Sequence, residues 1–80
     1  MQPKYTSGQR VELVSVKDEH LNPKYPEIEK YAGESAIVVD SYWIGLEGRS
    51  LPRDFFIYIL YIDRTNTEIS VEEDAIREVS

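Results

Sequence analysis

The sequence contains no cysteine, so neither a disulfide nor a thiolate metal site can stabilise the fold. Positive charge is also scarce: nine Lys and Arg residues stand against 15 Asp and Glu residues, for a net charge of −6. Proteins that bind nucleic acid neutralise phosphates with Lys and Arg, so we expect no nucleic-acid partner. The longest apolar run, residues 55–62, is too short to cross a membrane. With no signal-peptide pattern at the start, we expect no membrane partner and a cytoplasmic location.

The length of 80 residues predicts a single domain spanning residues 1–80. A chain this short buries a modest share of its surface, and its core must come from aliphatic and aromatic packing alone. Hydrophobic residues make up 41% of the chain and aromatic residues 11%, which is sufficient for a small core. Self-association is a common means of stabilising domains of this size.

Apolar alternation predicts a set of β-strands. The predicted strands cover residues 10–16, 35–43, 54–62 and 68–71, with a polar hairpin turn at 63–67 and a bulge near Val14. Residues 44–53 contain two glycines and a proline and predict an exposed loop. The shared phase of the strands predicts a buried core made of Val11, Leu13, Val38, Tyr58, Leu60, Ile62, Val71 and Ile76.

Two single helical turns are also predicted. Pro26 stands at a possible first helical position, and Gly33 follows the segment, so one turn is expected near residues 26–31. The sequence Ser70-Val71-Glu72-Glu73 fits a capping box, in which Ser70 would cap a second turn and Glu73 would reach back to it.

The turn and strand Gly33-x-x-Ala36-x-Val38 resemble the corresponding segment of KOW-type SH3-like barrels, which favour glycine at the position of Ala36. Together with the strand pattern, this resemblance implies a mostly-β fold: a small five-stranded SH3-like barrel with one or two single-turn helices. Such barrels are mostly scaffolds and binding modules.

The chain is also similar to the barrel domain of the nitrile hydratase β subunit and its electron-transport accessory relatives. The matching segments are Gly8-Gln9-Arg10-Val11, His20…Pro23-Lys24-Tyr25, Gly33…Val38, Tyr58–Asp63 and Glu73–Ile76. In that family the barrel is accessory, and the metal-binding cysteine belongs to the other subunit. The resemblance implies a scaffold that packs on another protein and transfers no catalytic residue to this chain.

No segment predicts catalysis or a metal site. His20 follows Asp18 and Glu19, but adjacent loop residues rarely converge on one ion, so a solvated loop is the expectation. The acidic run 72–74 lacks the glycine and the oxygen spacing of a calcium loop. No serine lies in a nucleophile elbow, and no glycine-rich phosphate loop is present. We therefore expect a protein that is not an enzyme and holds no cofactor or metal.

Strand 54–62 is apolar on both of its faces, although a barrel strand normally has one face in water. The face opposite the predicted core therefore predicts a protein interface, for another protein or for a homodimer, unless loop 44–53 covers it. The interface residues would be Phe55, Ile57, Ile59, Tyr61, Ile37 and Val39.

A second functional hypothesis uses the aromatic residues in connections and at the end of a strand. Tudor-like barrels gather such rings into a cage that binds a basic or methylated peptide by cation–π attraction. The acidic charge of the chain suits such a ligand. The rings that would form this cage are Tyr5, Tyr25, Tyr31, Tyr42 and Trp43.

Overall fold

The computed structural model describes residues 3–44 and 55–79. These residues form five antiparallel strands in one sheet and two single 3₁₀ turns, which confirms the predicted mostly-β fold. The strands are β1 (Arg10–Leu13), β2 (Ser35–Ile44), β3 (Phe55–Ile62), β4 (Thr67–Glu72) and β5 (Ile76–Glu78). The 3₁₀ turns are Glu29–Tyr31, between β1 and β2, and Glu73–Ala75, between β4 and β5.

The strands lie in the order β4-β3-β2-β1-β5, so β2 is the middle strand, β3 and β1 lie on either side of it, and the first strand pairs with the last. Within the described residues β4 and β5 form the two edges, and no pairing between them closes the sheet. Most of the predicted loop at 44–53 lies outside the described residues; Ile44 is the last residue of β2. Neither 3₁₀ turn in the described part of the chain is long enough to span a membrane.

The core lies on one face of the sheet, and its eight predicted members are all buried. Tyr58, Leu60 and Ile62 alternate along β3, and each is fully buried. Burying a side chain of this size stabilises the fold by about 1.5–3 kcal/mol. The core also contains four residues that the pattern did not predict: Tyr5, Ala36, Phe56 and Ala75.

The strand irregularity lies in β2, and the predicted bulge near Val14 is wrong. Pairing of β2 with β3 passes from Val38–Leu60 directly to Asp40–Ile59, which leaves Val39 as the extra residue of a bulge. β1 instead ends at Leu13, and the Val14 N–H donates to the carbonyl of Ala75, in the second 3₁₀ turn, at 2.9 Å. The bulge changes which residues of β2 face the core, from even numbers before it to odd numbers after it.

Both helical turns exist, but their starts differ from the prediction. The first begins at Glu29, three residues after Pro26, and Ile28 and Tyr31 pack partly against the core. Gly33 ends this connection with a φ of 90°, a conformation that glycine adopts without strain. The predicted capping box is wrong: Ser70 is an exposed residue of β4, and the second turn has no side-chain cap. The strand continues through Val71 because that residue pairs with Tyr58 in the core.

Candidate functional site: the outer face of the sheet

The face of the sheet opposite the core carries an apolar stripe across the neighbouring strands β2 and β3. On β3, Ile57, Ile59 and Tyr61 alternate with the core residues and are half-buried. On β2, Ile37 lies opposite Tyr61, and Tyr42 lies opposite Ile57. These five residues are called the outer stripe below. Because β3 lies between β2 and β4, the neighbouring strands shield part of each of its outward side chains, which are therefore half-buried rather than exposed.

Two further predicted interface residues lie at the margins of the stripe. Val39 is the bulge residue, and 44% of its surface is exposed. Phe55 is the first residue of β3 and pairs with Ile44. Tyr42, which was not among the predicted interface residues, joins the face because the bulge reverses the phase of β2; it is 47% exposed. On β3 the alternation of Ile57, Ile59 and Tyr61 with the core residues is as predicted, and the role of this face as an interface stays a prediction.

Acidic side chains border the stripe on the β4 side. Glu68 lies opposite Tyr61, Ser70 opposite Ile59, and Glu72 opposite Ile57. Asp40 lies opposite Ile59 on the β2 side and is exposed. The stripe is therefore flanked by carboxylates: Asp40 lies beside Ile59 on the β2 side, and Glu68 and Glu72 lie beside its two ends on the β4 side.

The β1 and β5 side of the same face carries arginines that are paired within the chain. Arg10, opposite Ile37, donates to the Ser35 hydroxyl at 2.9 Å and to the Asp63 carboxylate at 3.4 Å. Arg77 of β5 donates to Glu12 of β1 at 2.8 Å. Among the described strand residues of this face, Arg10 and Arg77 stand against Glu12, Asp40, Glu68 and Glu72, a net charge of −2, and both arginines have carboxylate partners.

The five aromatic residues proposed for a ligand cage do not line one site. Tyr5 is buried in the core, with its ring edge-on to Tyr58 at 5.5 Å. Tyr42 and Trp43 are consecutive in β2 and lie on opposite sides of the sheet, opposite Ile57 and Phe56 respectively. A cage needs several exposed rings around one point, and this arrangement does not provide them.

The other two aromatic residues of that set have structural partners. The Tyr25 hydroxyl donates to Asp74 at 2.5 Å, beside the Lys24 ammonium, which donates to the same carboxylate at 2.8 Å. Burial alone would raise the pKa of the Asp74 carboxyl, but these two hydrogen bonds outweigh it and lower that pKa. Burial, and then the bond to Asp74, raise the pKa of the Tyr25 hydroxyl. Tyr31 is half-buried against the core.

Glu73 and Asp74 accept hydrogen bonds from tyrosine hydroxyls, a role that the sequence did not predict. Glu73 accepts a hydrogen bond from the Tyr58 hydroxyl at 2.7 Å. Burial, and then this bond, raise the pKa of Tyr58 to about 12. The sequence held one indication of this role: Tyr58 was a predicted core residue, and a buried hydroxyl needs a hydrogen-bond partner.

The segment around His20 is an exposed turn. The Asp18 carboxylate accepts hydrogen bonds from the backbone N–H groups of His20 and Asn22, both at 2.9 Å, in the manner of an Asx turn. The His20 ring lies 3.6 Å from the Glu19 carboxylate, and both side chains are largely in solvent. Among residues 3–44 and 55–79, no three His, Asp or Glu side chains are placed to hold a metal ion.

Comparisons with known proteins add no relative: no family model, curated protein or solved structure matches this chain.

Proposed function

We propose that this protein is a non-enzymatic interaction module or accessory subunit that binds another protein through the outer face of its sheet. The observation that carries the proposal is the outer stripe, Ile37, Tyr42, Ile57, Ile59 and Tyr61, on the face away from the core. The resemblance to accessory SH3-like barrels supports the same role, and a cytoplasmic location belongs to the proposal.

The stripe differs from the ordinary outer face of a small antiparallel sheet. Such a face usually alternates with the core in polarity, and its residues are hydrophilic. Here β3 is apolar on both sides, while its neighbour β4 follows the ordinary rule with Glu68, Ser70 and Glu72 outward. Covering apolar surface contributes about 25 cal/mol per Å² to an association, so a partner that covers the stripe gains binding energy that β4 alone would not provide.

Substitution of Ile59 tests the proposal, because this residue lies at the middle of the stripe. The protein is isolated from its source cells through an affinity tag, as wild type and as Ile59→Lys. We expect a stoichiometric protein partner with the wild type and its loss with Ile59→Lys, since a charge at the centre of an interface is costly to bury. Circular dichroism checks that the variant is folded.

Leu21→Lys provides the matched control, because Leu21 is 79% exposed on the connection between β1 and β2 and belongs to no strand of the sheet. This variant should retain the partner. A stoichiometric partner that also stays bound to folded Ile59→Lys would show that the outer face is not the interface. A wild type that has neither a partner nor a dimer would contradict the proposal as a whole.

A further inference from the structure

Building on the proposed function, we infer that the outer face binds a cationic, amphipathic segment of its partner and not a second copy of this chain. The segment would place aliphatic side chains on the outer stripe and Lys or Arg side chains beside the carboxylates that border it. The inference comes from the placement of charge around the stripe.

The carboxylates are spaced along the length of the stripe. Glu68 and Glu72 lie beside its two ends on β4, and at about 3.4 Å per residue they are about 14 Å apart. Asp40 lies on the other side of Ile59, in β2. Within the described residues none of these three carboxylates forms an ion pair, whereas Arg10 and Arg77 on the same face are both paired. Cations of a partner therefore have three carboxylates to meet.

A second copy is the poorer occupant for an electrostatic reason. It would bring the same face, with a net charge of −2 on its described strand residues, against this one, and each whole chain carries −6. Like charges brought together across an interface oppose association, while complementary charges speed it and fix the register. A segment with apolar and basic side chains satisfies both parts of the surface.

The probe for this inference is a fluorescein-labelled 16-residue peptide with Leu along one helical face and Lys on the other. Its control has Glu in place of every Lys. Fluorescence anisotropy measures binding at low and at physiological salt. We expect the Lys peptide to bind the wild type at least tenfold more tightly than the Glu peptide does. Its affinity should fall as the salt concentration rises, because salt screens the charges.

Two double variants of equal charge separate local contacts from overall attraction. Glu68→Gln with Glu72→Gln removes the carboxylates beside the stripe, and Glu19→Gln with Glu27→Gln removes two exposed ones on the connection between β1 and β2. We expect the first pair to weaken binding three- to tenfold and the second to leave it within twofold. All four positions are outside the core, so both variants should fold.

Each contrary result has a distinct meaning. Equal weakening by the two double variants would overturn the inference, because net charge alone would then explain binding. Failure of the Lys peptide to bind would also overturn the inference about the cationic segment. The proposed function would still be supported in that case if Ile59→Lys loses the cellular partner. A wild-type dimer in sedimentation that dissociates with Ile59→Lys would replace the cationic segment by a second copy, again leaving the outer face as the interface.

Discussion

The hydroxyl of Tyr58 joins three parts of the chain, and Tyr58→Phe removes it while keeping the ring. Tyr58 is fully buried in central strand β3. Its hydroxyl accepts from the Lys4 N–H at 2.9 Å and from the Tyr5 N–H at 3.4 Å, and it donates to Glu73 at 2.7 Å. The segment before β1 and the turn between β4 and β5 therefore meet at one oxygen atom.

The expected loss of stability follows from these three bonds. A hydrogen bond to a charged group contributes about 1.5–3 kcal/mol and a neutral one about 0.5–1.5 kcal/mol. The 3.4 Å bond adds little, since it is beyond the usual range for N–H···O bonds. Glu73 is half-buried and Lys4 is exposed, so water replaces part of what is lost. We expect Tyr58→Phe to lower the free energy of unfolding by about 2 kcal/mol, which is the sum of the lower values for one charged and one neutral hydrogen bond.

The hydrogen bond from Tyr58 to Glu73 also makes the stability of the fold depend on pH in the alkaline range. Burial and the bond to Glu73 raise the pKa of Tyr58 to about 12, while an unfolded tyrosine titrates near pH ~10. A raised pKa stabilises the fold fully below the unfolded value, and this contribution is lost as the pH rises toward the folded value. The stability difference between the wild type and Tyr58→Phe should therefore shrink by about 1 kcal/mol between pH ~9 and ~11.

Urea unfolding followed by circular dichroism, at a series of pH values, measures both effects. Tyr42→Phe is the matched control, since Tyr42 lies on the outer face with 47% of its surface exposed. This control should change the free energy of unfolding by less than about 0.5 kcal/mol. The reasoning is refuted if Tyr58→Phe is no more destabilising than Tyr42→Phe at neutral pH, or if its effect does not change up to pH ~11.

Three further substitutions test other parts of the structure by the same unfolding measurement. Leu60→Ala should cost about 2–5 kcal/mol, because Leu60 is fully buried and truncation leaves a cavity; a loss below 1 kcal/mol would contradict its core position. Ser70→Ala should change stability by less than about 0.5 kcal/mol, since Ser70 is an exposed strand residue, and a loss near 1 kcal/mol would restore the capping box. Asp74→Asn should cost about 1 kcal/mol at neutral pH, a value reduced for the partial exposure of Asp74. Its lowered pKa means that the effect is present above pH ~4 and should fade as the pH falls further, whereas a loss that is constant down to pH ~2 would exclude the ion pair as its cause.

The sequence predicts the core well because the alternation of several strands, taken together, indicates which residues face it. Over residues 55–62 every side chain is apolar, so β3 itself did not reveal its phase. The choice of Tyr58, Leu60 and Ile62 came from the neighbouring strands, and their burial confirms it. Where the pattern is reinforced by several strands, local sequence and fold agree.

The bulge and the cap show where local patterns fail. The run Ile37-Val38-Val39-Asp40 contains no glycine, so nothing in its composition indicated an extra residue at Val39. Ser70 and Glu73 had the spacing of a capping box, but the pairing of Val71 with Tyr58 keeps this segment extended as far as Glu72. In both cases contacts with β3 determine the local conformation, and those contacts are not visible in a short window.

The candidate site, too, could be predicted from the sequence only in part. Ile57, Ile59 and Tyr61 follow from alternation along one strand, and their place opposite the core follows with them. The carboxylates beside them depend on register, since only the pairing of β3 with β4 shows that Glu68 and Glu72 lie at the two ends of the stripe. The exposure of Tyr42 on this face likewise depends on the bulge.

Pairing of the first strand with the last has a consequence for how the chain folds. β2, β3 and β4 are successive along the chain and pair as neighbours, whereas the Tyr5 hydroxyl reaches the carbonyl of Ile76, 71 residues away. Closing so long a loop is entropically costly, and folding rates fall as contacts become more distant in sequence. The hairpins of the central strands should therefore form early, and the docking of β1 against β5 should come late. A circular permutant that connects β5 to β1 and opens the chain in the turn at 63–66 would make that late contact local, and it should fold faster to the same core.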